Sequence, residues 1–140
     1  MAQRWKIEQQ IKDFKKMKNA VPKRIGNIAL NHFLDSWENE AFSDRSTGDN
    51  PWKRRSTKTK ADIRTGKNRK LLIQSGALKR SMKVRSSNWS QIVIGSYGII
   101  YASRHNQGLK GMPKRQFIGR SRMLDQKILK LINNEMKKII

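Results

Sequence analysis

Between Leu72 and Ser121 the chain reads LIQSGALKRSM (72–82), QIVIG (91–95), YASRHNQG (101–108) and MPKRQFIGRS (112–121), and this stretch decides the fold. Met82 and Val84 alternate with polar neighbours, Ser87-Asn88 supplies turn residues, and Gln91 to Gly95 is β-branched and apolar, which predicts a β-hairpin. Leu71 to Leu78 reads as a helical turn or a strand lead-in. Ile99 to Gln107 suits either a strand, through Ile-Ile-Tyr, or a helix with Ile100, Tyr101 and His105 on one face. Gly108 fits a helix cap or a turn equally well.

Downstream, Leu124, Ile128, Leu131, Ile132, Met136, Ile139 and Ile140 form one apolar stripe at helical spacing. Asp125 near its start and Lys137-Lys138 near its end suit the helix dipole, and Ser121 is placed to cap it. Upstream, Ile7, Ile11 and Phe14 fall at i, i+4, i+7, which predicts a first helix over residues 1–20 ending at Val21-Pro22. Ile25, Ile28, Ala29, His32, Phe33 and Trp37 then predict a second helix extending towards Phe42.

From Ser43 to Lys70 the apolar signal nearly vanishes, leaving Trp52 and Ile63 among Ser, Thr, Gly, Asn and basic residues. Lys53 to Lys70 holds nine basic residues and one acid, a net +8. Such a run repels itself, so residues 43–70 are expected to form a mobile basic arm. The resulting expectation is one α+β domain over residues 1–140, with N-terminal helices, the arm, a hairpin-based antiparallel sheet, and a C-terminal amphipathic helix packed on that sheet.

The chain has 140 residues, enough for a single core, and its 32 Lys and Arg against 10 Asp and Glu give a net charge of +22. That field exceeds what solubility needs and calls for a negative partner: nucleic acid, an acidic protein surface or an anionic membrane. There is no cysteine, which excludes disulfides and thiolate chemistry. No signal-peptide pattern is expected at residues 1–10. The uncharged span Ser86 to Ser103 is shorter than the about 20 apolar residues a membrane span needs.

Catalytic patterns are missing. The two histidines, His32 and His105, stand 73 positions apart without an adjacent acidic motif; His32, on an apolar helix face, reads as a partly buried, hydrogen-bonded side chain. Five of the acids, Asp35, Glu38, Glu40, Asp44 and Asp49, form an island that reads as a solvated helix end or an interface patch. Neither a phosphate loop nor a Gly-x-Ser-x-Gly elbow is present. No enzyme activity, metal or cofactor is therefore expected. Trp52 beside Lys53, Arg54 and Arg55, followed by Lys58 and Lys60, joins an aromatic ring to phosphate-binding charges. Together with Arg115 these are the expected contacts to DNA or to acidic protein surfaces.

The order of these pieces resembles the phage virion morphogenesis family, the tail-completion and neck proteins of long-tailed phages. The resemblance rests on Asn50-Pro51-Trp52 before a basic loop, then Leu72 to Leu78 with Gly76 and Leu78, Ser81, Tyr101-Ala102, His105-Asn106-Gln107-Gly108, and Arg115-Gln116-Phe117-Ile118-Gly119. It runs from about Ile25 to Ile140, and it departs at Gln116, where relatives often carry proline. The resemblance implies structural roles for Gly76, Leu78, Tyr101, His105, Gly108, Phe117 and Gly119. It further implies a virion protein of the head–tail junction, present in the host cytoplasm during assembly, that forms a homo-oligomeric, hexameric ring against connector and tail-tube proteins. A small, basic, non-sequence-specific nucleic-acid-binding protein is the competing reading, favoured by composition alone. Against it, no helix-turn-helix, zinc or RNP signature is found.

Overall fold

In the computed structural model, which describes residues 2–45, 48–55, 70–73 and 75–140, the chain is organised around one long helix. Helix α1 runs Ala2–Asn39, and it passes straight through Pro22, where two helices were expected. Proline lacks an N–H and crowds the preceding turn, but Val21 and Ile25 on either side are buried against Leu131 of the last helix. Tertiary packing along that stripe holds the helix continuous across the break.

The helix stops at Asn39, short of Phe42, because Glu40 takes a left-handed backbone (φ 49°) that turns the chain into strand β1, Ala41–Arg45. Strand β2, Gly48–Pro51, pairs with it antiparallel, Ala41 opposite Pro51 and Phe42 opposite Asn50. Hence the first third of the expected mobile arm is a hairpin. The four residues after it are fastened too, and residues 56–69, with Lys58 and Lys60, lie outside the described residues.

The short helix α2, Ala77–Ser81, leads directly into β3, Met82–Ser87, which pairs antiparallel with β4, Ile92–Ser96. The predicted hairpin is thus present, with a bulge between Val84 and Ser86. Asn88 makes its turn: the side-chain oxygen accepts from the N–H groups of Ser90 (3.0 Å) and Gln91 (2.9 Å). The hairpin lies on α1, and Gly26 is the point of closest approach. A Cβ there would come within 3.2 Å of Val84 Cγ1.

The ambiguous stretch resolves as helix α3, Ala102–Gln107, closed by Gly108 in the left-handed region (φ 71°). Any Cβ on Gly108 would also press on the backbone of Lys114, so both conformation and space select glycine there. Helix α4, Arg122–Ile139, begins as expected: the Ser121 hydroxyl accepts from Leu124 N–H at 3.3 Å. It packs along α1 and against β1.

Two apolar clusters result. The larger gathers Phe33 and Trp37 of α1, Phe42, Trp52, Leu71, Leu78, Met82, Phe117 and Leu124. The smaller joins Met17, Val21 and Ile25 to Leu131. Between β1 and α4, His32 links three elements. Lys127 donates to Nδ1 at 3.3 Å, which leaves Nε2–H to donate towards the Ser43 carbonyl and the Ser121 hydroxyl, each 3.0 Å away. This is the buried, bonded histidine read from the sequence. Burial first, then Lys127, holds its pKa below the usual histidine range, against the opposing pull of the Ser43 hydrogen bond and Asp35.

Candidate functional site

Glu40, at the end of α1, fixes the framework of the site. Its carbonyl accepts from Trp52 N–H at 2.8 Å, and its carboxylate accepts from Leu71 N–H at 3.0 Å and pairs with Arg54. Burial alone would raise its pKa; the Leu71 and Arg54 bonds more than offset that and keep it below the carboxylate norm. One residue thereby fastens residues 52–54 and 70–71 to the helix end. Nearby, Glu38 takes Lys79 and Lys70, whose hydrogen bonds bring its pKa down to about 2. Of the predicted island, Glu38 in α1's last turn and Glu40 just beyond it are therefore spent on pairs within the chain.

Trp52, expected as an exposed stacking ring, is instead a core residue, 4 % exposed. Its ring meets Trp37 edge-on at 5.9 Å, and its indole N–H donates to the Gln116 carbonyl at 2.7 Å. Trp37 in turn lies 4.9 Å from the Phe117 ring. An aromatic trio buried in this way has no face to offer a nucleic-acid base. Phe117, given a structural role by the resemblance, anchors the approach to α4 against Trp37 of α1; the hairpin reaches the same cluster through Met82 and Ile94.

Arg115 also departs from its expected place. It is 8 % exposed, and its Nε–H donates to the Lys53 carbonyl at 2.9 Å, so the side chain points inward and braces residues 52–55 rather than reaching out to a partner. Its backbone N–H donates to the His105 carbonyl at 2.8 Å. At the next residue, Asn106 Oδ1 accepts from Phe117 N–H (2.9 Å) and Ile118 N–H (3.0 Å), binding α3 to the 115–118 segment. Gly119 sits directly beneath the Gln116 amide, with no room for a Cβ. Lys53 and Arg54 remain exposed.

The residues picked out by the family pattern, scattered over forty positions, meet in space. Gly76, Leu78, Tyr101, His105 and Arg115, with Arg55, Leu72 and Ile73, line one open cavity of about 410 Å³. Tyr101 and His105 stack edge to face at 5.9 Å. His105 Nδ1 is buried without a hydrogen-bond partner, and burial followed by the Arg115 charge lowers its pKa, so the ring is neutral near pH 7. Gly108, the cap of α3, and Phe117, packed on Trp37, are not among the lining residues. The cavity combines the apolar side chains of Leu72, Ile73 and Leu78 with the cationic side chains of Arg55 and Arg115. Among the described residues no group of three or more His, Asp or Glu is placed to hold a metal, and no helix is long and apolar enough to cross a membrane.

An α+β unit whose recurring motif residues serve packing and one receptive cavity has the character of an assembly protein. The chain matches the phage virion morphogenesis family over residues 9–137 and belongs to it. It is accordingly a virion-associated bacteriophage protein of virion assembly. The match reaches into α1 well before Ile25, where the resemblance in sequence began. No curated protein and no solved structure matches the chain.

Proposed function

We propose that this protein is a structural component of the head–tail junction, a tail-completion, tail-terminator or neck protein, that acts by ring assembly rather than by chemistry. The observation that carries the reading is the family match along nearly the whole chain. The cavity supports it. Motif residues that converge on a receptive, cationic hollow suit the insertion of a neighbouring subunit's side chain better than a reaction. A homohexameric ring follows from the sixfold symmetry of long tails, with connector and tail-tube proteins as its neighbours and non-specific contact with phage DNA along its basic surface. The subunit would be made in the host cytoplasm and come to rest in the virion.

The test is to locate the protein in particles of its phage by electron microscopy, with native mass spectrometry on the purified chain. Density in a ring between head and tail, and a hexamer in solution or on the tail end, are expected. Labelling along the tube or on the capsid would overturn the proposal. So would a strict monomer that completes tails singly. The nucleic-acid alternative is separated by titrating DNA binding with salt while following light scattering. DNA affinity that survives when assembly is abolished would put that alternative first.

A further inference from the structure

The first turns of α1 carry an apolar face that the chain leaves uncovered. Ile7, Ile11 and Phe14 are 56, 49 and 38 % exposed, whereas Met17 and Val21, next along the same stripe, are buried. The opposite wall is the end of α4, Ile139 and Ile140. Gln10 Nε2 donates to the Ile139 carbonyl at 3.2 Å, which ties the two helices together and preforms the space between them. The result is an apolar groove of about 500 Å³ with Lys15 and Lys18 on its rim.

Charge decides what fits there. Residues 6–18 hold five lysines against Glu8 and Asp13, and the α4 side ends in Lys137-Lys138. Two copies laid groove to groove would set lysine against lysine. A second copy carries the same 32 Lys and Arg against 10 Asp and Glu, and Glu38, Glu40 and Glu135 among those acids are already paired within the chain, so it would bring mostly positive charge. A bilayer would meet the exposed stripe as a plane, but a concave slot between two helices is filled by a third helix.

We propose that this groove docks an amphipathic helix from a different, acidic protein. Apolar residues at i, i+4 and i+7 of the partner would fill the space beside Ile7, Ile11 and Phe14, while its carboxylates meet Lys15 and Lys18. The inference stands whether or not the chain forms a ring.

The probe is a stapled, fluorescein-labelled helical peptide with leucines at i, i+4 and i+7 and glutamates flanking them, titrated into the full chain and followed by anisotropy. The same peptide with lysines for glutamates is the control. The glutamate peptide is expected to bind at least about tenfold more tightly, with affinity falling as salt rises. Ile11→Glu, at an exposed site that leaves the circular dichroism melt unchanged, should weaken it by about tenfold or more. The double variant Lys15→Glu, Lys18→Glu should reverse the preference between the two peptides. Equal affinities, or indifference to Ile11→Glu, would overturn the proposal. Sedimentation equilibrium and flotation with phosphatidylglycerol vesicles supply the other two arms. If Ile11→Glu dissolves a self-associated form of the chain, the occupant is a second copy; if it abolishes vesicle binding without touching peptide binding, the surface is a lipid one. Either result refutes the acidic helix.

Discussion

Replacing Phe117 by alanine removes a ring that is 1 % exposed, lies 4.9 Å from Trp37, and is held in register by the two Asn106 hydrogen bonds to the backbone at 117 and 118. Those backbone bonds keep the segment in place, so the site is poorly able to collapse and most of the cavity should persist. Phenylalanine-to-alanine changes of this kind cost about 3–5 kcal/mol, and loss of the tilted pair with Trp37 accounts for about 0.5–1.5 kcal/mol of it. In a chain of this size each kcal/mol displaces the melting temperature by roughly 3–5 °C, so the expected fall is roughly 10–20 °C. Circular dichroism melts and urea titrations on the isolated subunit measure it. Trp89→Ala, at the hairpin tip where the ring is 48 % exposed, is the control and should stay within about 0.5 kcal/mol. A Phe117→Ala loss under about 1 kcal/mol would show that residues 115–118 are not clamped on the core.

Arg115→Ala should destabilise the subunit by about 1.5–3 kcal/mol through loss of the charged bond to Lys53, seen in the urea midpoint; stability within about 0.5 kcal/mol of the parent would return Arg115 to a purely external role. Acidification should lower stability: the pKa of His32, facing Lys127 and Asp35, and that of His105, facing Arg115, both lie below their unfolded value near 6.5, so the unfolded chain binds the proton first. Their contribution is complete above about pH 6.5 and is lost as pH falls through the lower folded values; urea unfolding at several pH values, in the parent and in His32→Gln, should show a flatter slope in the variant, and a parent stability that rises on acidification would refute this. Pro22→Ala restores an N–H inside α1 and should raise stability by about 1–2 kcal/mol after the lost packing of the ring is set against the helix gain, and a lower melting temperature would contradict the reading of Pro22 as a tolerated break.

The elements that depend on local pattern were legible: the stripe of α4 and its Ser121 cap, the β3–β4 hairpin, the α+β class. What escaped depends on contacts distant in sequence. Pro22 reads as a boundary because a proline ordinarily is one; only burial of Val21 and Ile25 against α4 explains why the helix continues. Strands β1 and β2 were missed because Gly48–Pro51 is depleted in β-formers, and their pairing depends on the left-handed turn at Glu40. Trp52 looks like a surface ring among its basic neighbours, yet its partners, the Trp37 ring and the Gln116 carbonyl, lie 15 and 64 positions away. Arg115 is hidden against the usual rule that arginines stay exposed, because a backbone carbonyl accepts its Nε–H. The resemblance put the motif residues in the right order, but only the fold gathers five of them around one cavity.

Trp52 and Arg115 turn inward, whereas the exposed apolar side chains fall at separate places in the chain. Ile7, Ile11 and Phe14 stand at one end of α1, Trp89 at the hairpin tip, and Ile100, 88 % exposed, with Leu109 and Met112 on either side of α3. Ile100 adjoins Tyr101, itself part of the cavity wall. The proposed ring, meeting copies of the subunit and also unlike layers, would need more than one apolar surface, because an isologous or ring contact uses up the patch that makes it. The positive field adds discrimination between them. On the proposed ring, like subunits would repel wherever lysines face each other, so self-contact would favour a less charged surface, such as that around Ile100 and Tyr101. The lysine-rimmed groove would then be left for the proposed partner of opposite charge.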